Sequence, residues 1–121
     1  MVHGFVNIGV CVTNLQGSVT FCEILGLREV RVVLMSAGNA RLLFATRQVN
    51  SPPVGRKLGL FENAPGIDHI SFAVADVDGI YARLREAGVE FDGEPQDQSW
   101  GARMVGLKDP DGNNLYLLQK L

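Results

Sequence analysis

Two segments of the chain alternate apolar and polar residues with a period of two. Within Phe5 to Val12 the even-numbered positions are apolar, whereas the odd-numbered positions from Asn7 onward are small or polar. In His69 to Val74, bulky apolar residues again alternate with smaller or polar ones. This period is typical of a β-strand that packs with one face and exposes the other. We therefore predict a strand in each segment.

A helical pattern follows each predicted strand. Asn14 and Asp76 are residue types that cap the start of a helix, and Gly26 and Gly88 suit the left-handed position at its end. The apolar positions between cap and glycine recur at helical spacing: Leu15, Val19, Cys22 and Ile24 or Leu25 in the first helix, and Val77, Ile80, Tyr81, Leu84 and Ala87 in the second.

The two strand and helix segments are copies at an offset of 62 residues. Asn7 to Leu27 aligns without a gap with His69 to Val89, and Arg41-Leu42-Leu43 falls at the same offset on Arg103-Met104-Val105. We predict a single domain, residues 1–121, made of two tandem modules of about residues 1–63 and 64–121. Repeated modules imply two half-sheets with a cleft between them, where functional side chains should meet.

Three more strands are predicted after each helix, so that each module is a βαβββ unit. They are Arg28 to Met35, Ala40 to Thr46 and Lys57 to Glu62 in the first module, and Val89 to Asp92, Ala102 to Leu107 and Asn114 to Gln119 in the second. Turns are predicted at residues 36–39 and 109–112, and a longer loop at residues 48–56 is the expected rim of the cleft. The predicted fold class is α+β, with curved sheets around a cleft.

Composition excludes several classes of partner. The chain has 121 residues, 46% of them hydrophobic, which is enough for a core. Its 11 basic and 13 acidic residues give a net charge of −2 without a basic run, so we expect no nucleic-acid partner. With no apolar stretch of about 18 residues and no signal-peptide pattern at Met1, we expect a cytoplasmic protein without a membrane partner. Cys11 and Cys22 are predicted to be free, buried thiols.

Several motifs resemble those of one superfamily. They are Asn14-Leu15-Gln16-Gly17-Ser18 ahead of Leu25-Gly26-Leu27, and Ser99-Trp100-Gly101-Ala102-Arg103 ahead of Asp109-Pro110-Asp111-Gly112-Asn113. Together with the tandem modules they resemble the vicinal oxygen chelate superfamily, which contains glyoxalase I, extradiol dioxygenases, fosfomycin-resistance enzymes and bleomycin-resistance proteins. The resemblance covers nearly the whole chain and implies a homodimer.

The resemblance also implies four metal-ligand positions, one on the first strand and one on the last strand of each module. Here these positions hold Asn7, His69, Gly59 and Tyr116. Only His69 is a plausible ligand, because an amide and a neutral phenol bind borderline metal ions poorly and glycine has no side chain. Glu62 in place of Gly59 would give only two ligands and would lie on the other face of its strand. We therefore expect no metal and no cofactor.

Because it lacks the metal ligands, the chain resembles the bleomycin-resistance type of this superfamily. This resemblance implies a protein that binds a small molecule. We predict metal-independent sequestration of a small hydrophobic, aromatic molecule, in antibiotic resistance or self-protection. In the predicted site Trp100 stacks on the ligand, Tyr116 and Asn7 hydrogen-bond it, and Arg103 compensates charge. His69, Phe44, Phe61 and Cys11 complete the set of candidate ligand-binding residues.

Two other functions and several structural roles remain open. The chain is alternatively a metal-free isomerase, cyclase or lyase of secondary metabolism, with His69 as acid or base and Tyr116 as oxyanion partner. A second alternative is a metal-dependent glyoxalase- or dioxygenase-like enzyme with a degenerate site. The structural interpretations are a His69 hydrogen-bonded to Tyr116 or Asn7, a Trp100 packed in a hairpin, a solvated Arg103, a packed Cys11 thiol, and core roles for Met35, Phe44 and Phe61.

Overall fold

The computed structural model describes residues 1, 6–31, 34–46 and 66–121. The chain divides into two compact units, Met1–Pro53 and Val54–Leu121. The predicted module boundary, the predicted loop at residues 48–56 and the predicted strand Lys57 to Glu62, with Gly59 and Phe61, lie outside the described residues.

The first unit has one helix and one four-stranded sheet among its described residues. Its elements are β1 (Ile8–Val12), α1 (Leu15–Ile24), β2 (Arg28–Arg31), β3 (Leu34–Ala37) and β4 (Ala40–Thr46). The strand order is β1-β4-β3-β2, in which β1 is parallel to β4 and the other pairs are antiparallel.

The second unit repeats this topology. Its elements are β5 (His69–Ala73), α2 (Val77–Glu86), β6 (Gln96–Gln98), β7 (Ala102–Lys108) and β8 (Asn114–Lys120). The order is β5-β8-β7-β6, with β5 parallel to β8 and the other pairs antiparallel. The predicted α+β class with tandem βαβββ modules is confirmed.

The helices of the two units match at the predicted offset. The side chain of each N-cap residue accepts a hydrogen bond from the backbone N–H three residues later. Asn14 accepts from Gly17 at 3.0 Å, and Asp76 accepts from Gly79 at 3.1 Å. The glycines that follow the helices, Gly26 and Gly88, have φ angles of 91° and 87°. Such angles favour glycine because a Cβ atom would be strained there.

The offset of 62 does not hold beyond the helices. β4 is parallel to β1 in the first unit and β8 is parallel to β5 in the second, so β4 corresponds to β8. Leu42 lies opposite Ile8, and its counterpart Leu115 lies opposite Ile70, which gives these last strands an offset of 73 residues. The predicted equivalence of Arg41 with Arg103 in β7 is therefore wrong. The last-strand position of the first module also falls in β4, where Leu43 lies opposite Gly9, and not at Gly59.

Three strand predictions need correction. The segment predicted as one strand from Arg28 to Met35 forms the two antiparallel strands β2 and β3, and residues 36 and 37 of the predicted turn belong to β3. The predicted strand Val89 to Asp92 has only an isolated bridge from Phe91 to Leu107. β6 was missed because Gln96-Asp97-Gln98 is polar on both faces and shows no apolar alternation.

One predicted packing position is also wrong. Val6, predicted to lie on the packed face of the first strand, is 77% exposed.

Each unit buries apolar side chains between its helix and one face of its sheet. The first core contains Val12, Val19, Cys22, Met35, Leu42 and Phe44, and the second contains Val77, Leu84, Val105, Leu107, Leu115 and Leu117. Both cysteines are free, but only Cys22 is buried, so the prediction of a buried thiol is wrong for the exposed Cys11. None of the described helices has the length and apolar composition needed to cross a membrane.

Candidate functional site

The second sheet has one face packed against α2 and one face that this helix leaves uncovered. On the covered face, Gln119 accepts a hydrogen bond from the backbone of Val77 at 2.9 Å, and its register partner Arg103 bonds Asp78. Register partners project from the same side of a sheet, and successive residues alternate. The other face, named the open face because α2 does not pack on it, therefore carries His69 and Ser71 of β5, Asn114 and Tyr116 of β8, and Met104, Gly106 and Lys108 of β7.

His69 is held at the start of this face by a neighbouring carboxylate. Its Nδ1 atom lies 2.8 Å from Oδ2 of Asp68, and its side chain is 31% exposed. Asp68 precedes the first residue of β5, so strand alternation does not direct its side chain to the opposite face. When Nδ1–H donates to the carboxylate, Nε2 is the ring nitrogen that remains for a ligand.

Tyr116 packs against the imidazole. The two ring centroids are 4.7 Å apart, with an interplanar angle of 88°, which is a favourable edge-to-face arrangement. Tyr116 is only 5% exposed. Burial raises the pKa of Tyr116 above its ordinary value of 10.0, and the carboxylates of Asp92 and Asp68 raise it further. The phenol therefore stays neutral in a region of negative potential.

Asp92 reaches the open face beside Tyr116. It exchanges hydrogen bonds with Gly106, the register partner of Tyr116: the Asp92 backbone donates to the Gly106 carbonyl at 3.0 Å, and the Gly106 N–H donates to Oδ1 of Asp92 at 3.3 Å. A Cβ atom at position 106 would lie 2.9 Å from the other carboxylate oxygen. The glycine thus allows the carboxylate to lie close over the strand.

A pocket of about 180 Å³ adjoins this carboxylate. Its lining includes Asp92, Glu94, Gln96, Gln98, Met104 and Gly106. The pocket therefore combines carboxylates and amides with the apolar thioether of Met104.

The structure engages Arg103 elsewhere. Its Nε and Nη2 atoms donate to the two carboxylate oxygens of Asp78 at 2.9 and 3.0 Å, and Nη1 donates to Asp97 at 3.0 Å. These ion pairs raise the pKa of Arg103 and, through the Arg103 hydrogen bond, lower that of Asp78. Because Arg103 lies on the face opposite His69, we leave it out of the proposed site.

Trp100 lies in the turn between β6 and β7 and is 62% exposed, so it does not pack as an ordinary hairpin residue within its unit. This turn is at the Ala102 end of β7, whereas His69 is in register with the Lys108 end through Asn114. Six residue steps along β7 separate these ends by roughly 20 Å. Within one unit, the structure does not bring Trp100 to His69, and stacking by Trp100 stays a prediction.

The candidate residues of the first unit have different surroundings. Phe44 is buried at 5% exposure on the side of its sheet that carries Val12 and Leu42, which is a core position. Cys11 is exposed on the other side of β1, and Asn7 is half-buried just before that strand. The ligand-binding roles of Asn7 and Cys11 stay predictions, and Phe61 lies outside the described residues.

Sequence reasoning missed Asp68 and Asp92. Asp68 adjoins His69 in the sequence, but neighbouring strand residues point to opposite faces, so alternation argued against their contact. Asp92 lies in a segment predicted as a strand, and its approach to Tyr116 depends on the pairing of β7 with β8. The Asp-His dipeptide at the start of a strand was the one available signal.

Comparison with known proteins establishes the family. The chain belongs to the Glyoxalase/Bleomycin resistance protein/Dioxygenase superfamily, whose family model matches residues 4–117. It is 30% identical over 95 residues to the uncharacterized protein YraH of Bacillus subtilis strain 168, covering 77% of this chain and 74% of YraH. The resemblance inferred from the motifs is confirmed at the level of the superfamily.

Solved structures share the fold at low sequence identity. A glyoxalase family protein from Bacillus cereus superposes with a TM-score of 0.79 at 20% identity, covering 100% of this chain and 96% of that one. The genomically encoded fosfomycin resistance protein FosX from Listeria monocytogenes gives a TM-score of 0.78 at 18% identity, with coverages of 100% and 96%.

The residues at the family's metal-ligand positions do not fit a metal ion. His69 is the one good donor among them, since Tyr116 remains a neutral phenol and the register places a leucine, Leu43, at the last-strand position of the first unit. Divalent ions of this kind require three or four nitrogen, sulfur or carboxylate donors. Among the described residues no three His, Cys, Asp or Glu side chains are grouped to hold one.

Proposed function

We propose that this protein binds a small, largely apolar, aromatic molecule on the open face of the second sheet, without a metal ion. The observation that carries the proposal is the imidazole of His69, bonded through Nδ1 to Asp68 and packed on Tyr116. This arrangement supplies one directional polar group on an aromatic surface, which is typical of small-molecule sites.

The electrostatics favour a neutral or cationic ligand. The carboxylates of Asp68 and Asp92 oppose ionisation of the Tyr116 phenol, and an anionic ligand at the same place would meet the same repulsion. Lys108 is the cation of β7 on this face, and its ammonium donates to the amide oxygen of Asn114 at 3.2 Å.

The wider role that follows is sequestration in the cytoplasm for resistance or self-protection. It is supported by the superfamily description, which names bleomycin resistance, and by the fold shared with a fosfomycin resistance protein. Bleomycin, fosfomycin and a panel of neutral aromatic natural products are therefore the first compounds to test.

Thermal unfolding with each compound tests the proposal. A compound present at 100 times its Kd stabilises the folded state by about 2.7 kcal/mol. We expect a neutral aromatic compound to raise the Tm of the wild type with or without a chelator. His69→Gln should abolish this shift, and His3→Gln, which changes the chain's other histidine, should preserve it. A shift that survives His69→Gln, or one that requires an added metal ion, would contradict the proposal.

A second candidate function is metal-free acid–base catalysis, as in an isomerase, cyclase or lyase. The contact between Asp68 and Nδ1 of His69 favours it, because a carboxylate at this nitrogen holds the imidazole in a fixed orientation. If a compound that binds is also converted, His69→Ala should lower kcat strongly while leaving the Kd nearly unchanged. Equal loss of turnover and affinity would assign His69 to binding.

A further inference from the structure

The contact between Asp68 and His69 has a consequence for the protonation of the imidazole ring. A neutral imidazole carries its proton on one of two nitrogens, and a carboxylate acceptor at Nδ1 favours the form protonated there. The 2.8 Å separation is typical of a charge-assisted hydrogen bond. Such a bond biases the ratio of the two forms by about 10-fold or more.

Asp68 is itself held in place from the neighbouring strand. The amide of Asn114, which is 1% exposed, donates from Nδ2 to the backbone carbonyl of Asp68 at 3.5 Å, while its oxygen accepts from Lys108. Asn114 is also the register partner of His69. A buried amide of β8 thus fixes the backbone from which the carboxylate reaches the ring.

We infer that Asp68 is a positioning residue that holds His69 in the Nδ1–H form, so that Nε2 accepts a hydrogen bond from an O–H or N–H donor of a neutral or cationic ligand. The inference rests on the proposed function and deepens it by naming the ligand's polar group. It assigns a hydrogen-bonding role to the position that corresponds to a metal ligand elsewhere in the superfamily. A molecule that offers only an acceptor, such as an ether or a carboxylate, is excluded at Nε2.

Nitrogen NMR of the isotope-labelled, ligand-free protein tests the tautomer directly. In a His3→Gln background His69 is the single histidine, so its two ring nitrogens are assigned without ambiguity. With the ring in its neutral form, we expect a pyrrole-like Nδ1 and a pyridine-like Nε2. A pyrrole-like Nε2 in the His3→Gln protein would overturn the inference.

Variants of two carboxylates separate positioning from a general structural effect. Asp68→Ala should shift the ratio toward the Nε2–H form by about 10-fold, and Asp68→Asn, which keeps an acceptor oxygen, should give an intermediate ratio. Asp92→Asn is the matched control: it removes a carboxylate near Tyr116 that has no hydrogen bond to His69, and should leave the tautomer unchanged. Equal ratios in the wild type and Asp68→Ala would overturn the inference.

Phenol, anisole and benzoate at millimolar concentration test the ligand class. Phenol should shift the His69 ring resonances in the wild type, because its hydroxyl can donate to Nε2, and anisole and benzoate should not. The phenol response should be lost in Asp68→Ala. Equal responses to phenol and anisole, or none to either, would contradict the donor requirement. Since the tautomer is measured without ligand, its failure is distinguishable from failure of the compound panel.

Discussion

The phenol of Tyr116 and the carboxylate of Asp92 show how single residues set the electrostatic environment of the open face. Tyr116 is almost fully buried. Asp92 approaches it because Gly106, the register partner of Tyr116 in β7, has no side chain. Each effect disfavours the phenolate, so the pKa of Tyr116 rises. In the proposed function, the same potential disfavours anionic ligands.

We predict that Tyr116 ionises above the ordinary tyrosine value and that Asp92 contributes to the shift. The chain has two tyrosines, so in a Tyr81→Phe background the ultraviolet absorbance of the phenolate reports Tyr116 alone. Asp92→Asn should lower the midpoint of this titration toward 10.0, because it removes the larger of the two carboxylate contributions. A midpoint at or below that value in the parent would contradict the predicted environment.

The raised pKa also predicts how stability depends on pH. Above pH 10.0 the tyrosine of the unfolded chain ionises first, while the folded chain retains its proton. The unfolding free energy should therefore fall as the pH rises through this range. Tyr116→Phe should show a smaller fall between neutral and strongly alkaline pH, as measured by urea denaturation. Equal slopes in the two proteins would rule out this linkage.

At the scale of elements, the two helices depend on equivalent caps. Asn14 and Asp76 each satisfy a backbone N–H that has no partner within the helix. Each helix buries apolar side chains in its unit, Val19 in the first core and Leu84 in the second.

We predict that Asn14→Ala and Asp76→Ala each lower the unfolding free energy by about 1 kcal/mol, the usual cost of losing a polar N-cap. Chemical denaturation measures the effect. Glu23→Ala, at an exposed position within α1, is the control and should change stability by less than about 0.5 kcal/mol. A cap variant as stable as this control would show that the cap hydrogen bond does not contribute.

Arg103 joins three elements of the second unit. From β7 it binds Asp78 on α2 with two hydrogen bonds and Asp97 on the edge strand β6 with one. β6 is three residues long and has no apolar face, so this guanidinium supplies one of its few side-chain anchors. Arginine suits the position because its planar fork binds a carboxylate with two parallel bonds.

We predict that Arg103→Lys lowers the Tm more than Asp97→Asn, because lysine cannot form the two-bond contact with Asp78.

The pKa of Asp78 is lowered by the Arg103 hydrogen bond. Its stabilising contribution is thus present above the unfolded value of 3.8 and is lost as the pH falls below it. Melting curves from neutral to acid pH should show a weaker acid dependence in Asp78→Asn. Added salt should reduce the differences, since both carboxylates are exposed.

At the scale of the whole molecule, one end of the second sheet exposes apolar side chains. Trp100 and Leu121 are each 62% exposed, and the backbone N–H of Leu121 donates to the carbonyl of Gly101 at 3.0 Å. Exposed tryptophan is uncommon on a monomer surface and is enriched at protein interfaces.

We propose that the protein is a homodimer, as the family resemblance implies, and predict that Trp100 reports its formation. Light scattering should give twice the chain mass, and dilution below the dimer Kd should shift the emission of the sole tryptophan toward the red. Trp100→Ser should weaken the dimer, whereas Ile24→Ser, at an exposed apolar position on α1, should not. A monomer at all concentrations would contradict the proposal.

Much of the fold could be predicted because its signals are local. The cap residues, the helix lengths and the terminal glycines recur at one offset, and each acts within a few residues of its own position. The strands after the helices were harder to predict, because Gln96 to Gln98 has no apolar alternation and Val32-Val33 carries no turn signal between β2 and β3. The predicted equivalence of Arg41 and Arg103 was wrong because it depends on which strands pair, and strand pairing is a long-range property.

The sequence by itself determined the superfamily, the βαβββ modules and the placement of His69 on a strand face, because periodicity and short motifs encode these features locally. Only the tertiary structure decided which groups surround that imidazole. Asp68 turns back onto the ring from just outside β5, Tyr116 arrives from the parallel strand β8, and Asp92 approaches over Gly106. These contacts depend on strand register and on chain reversals between residues far apart in sequence, which no local pattern records.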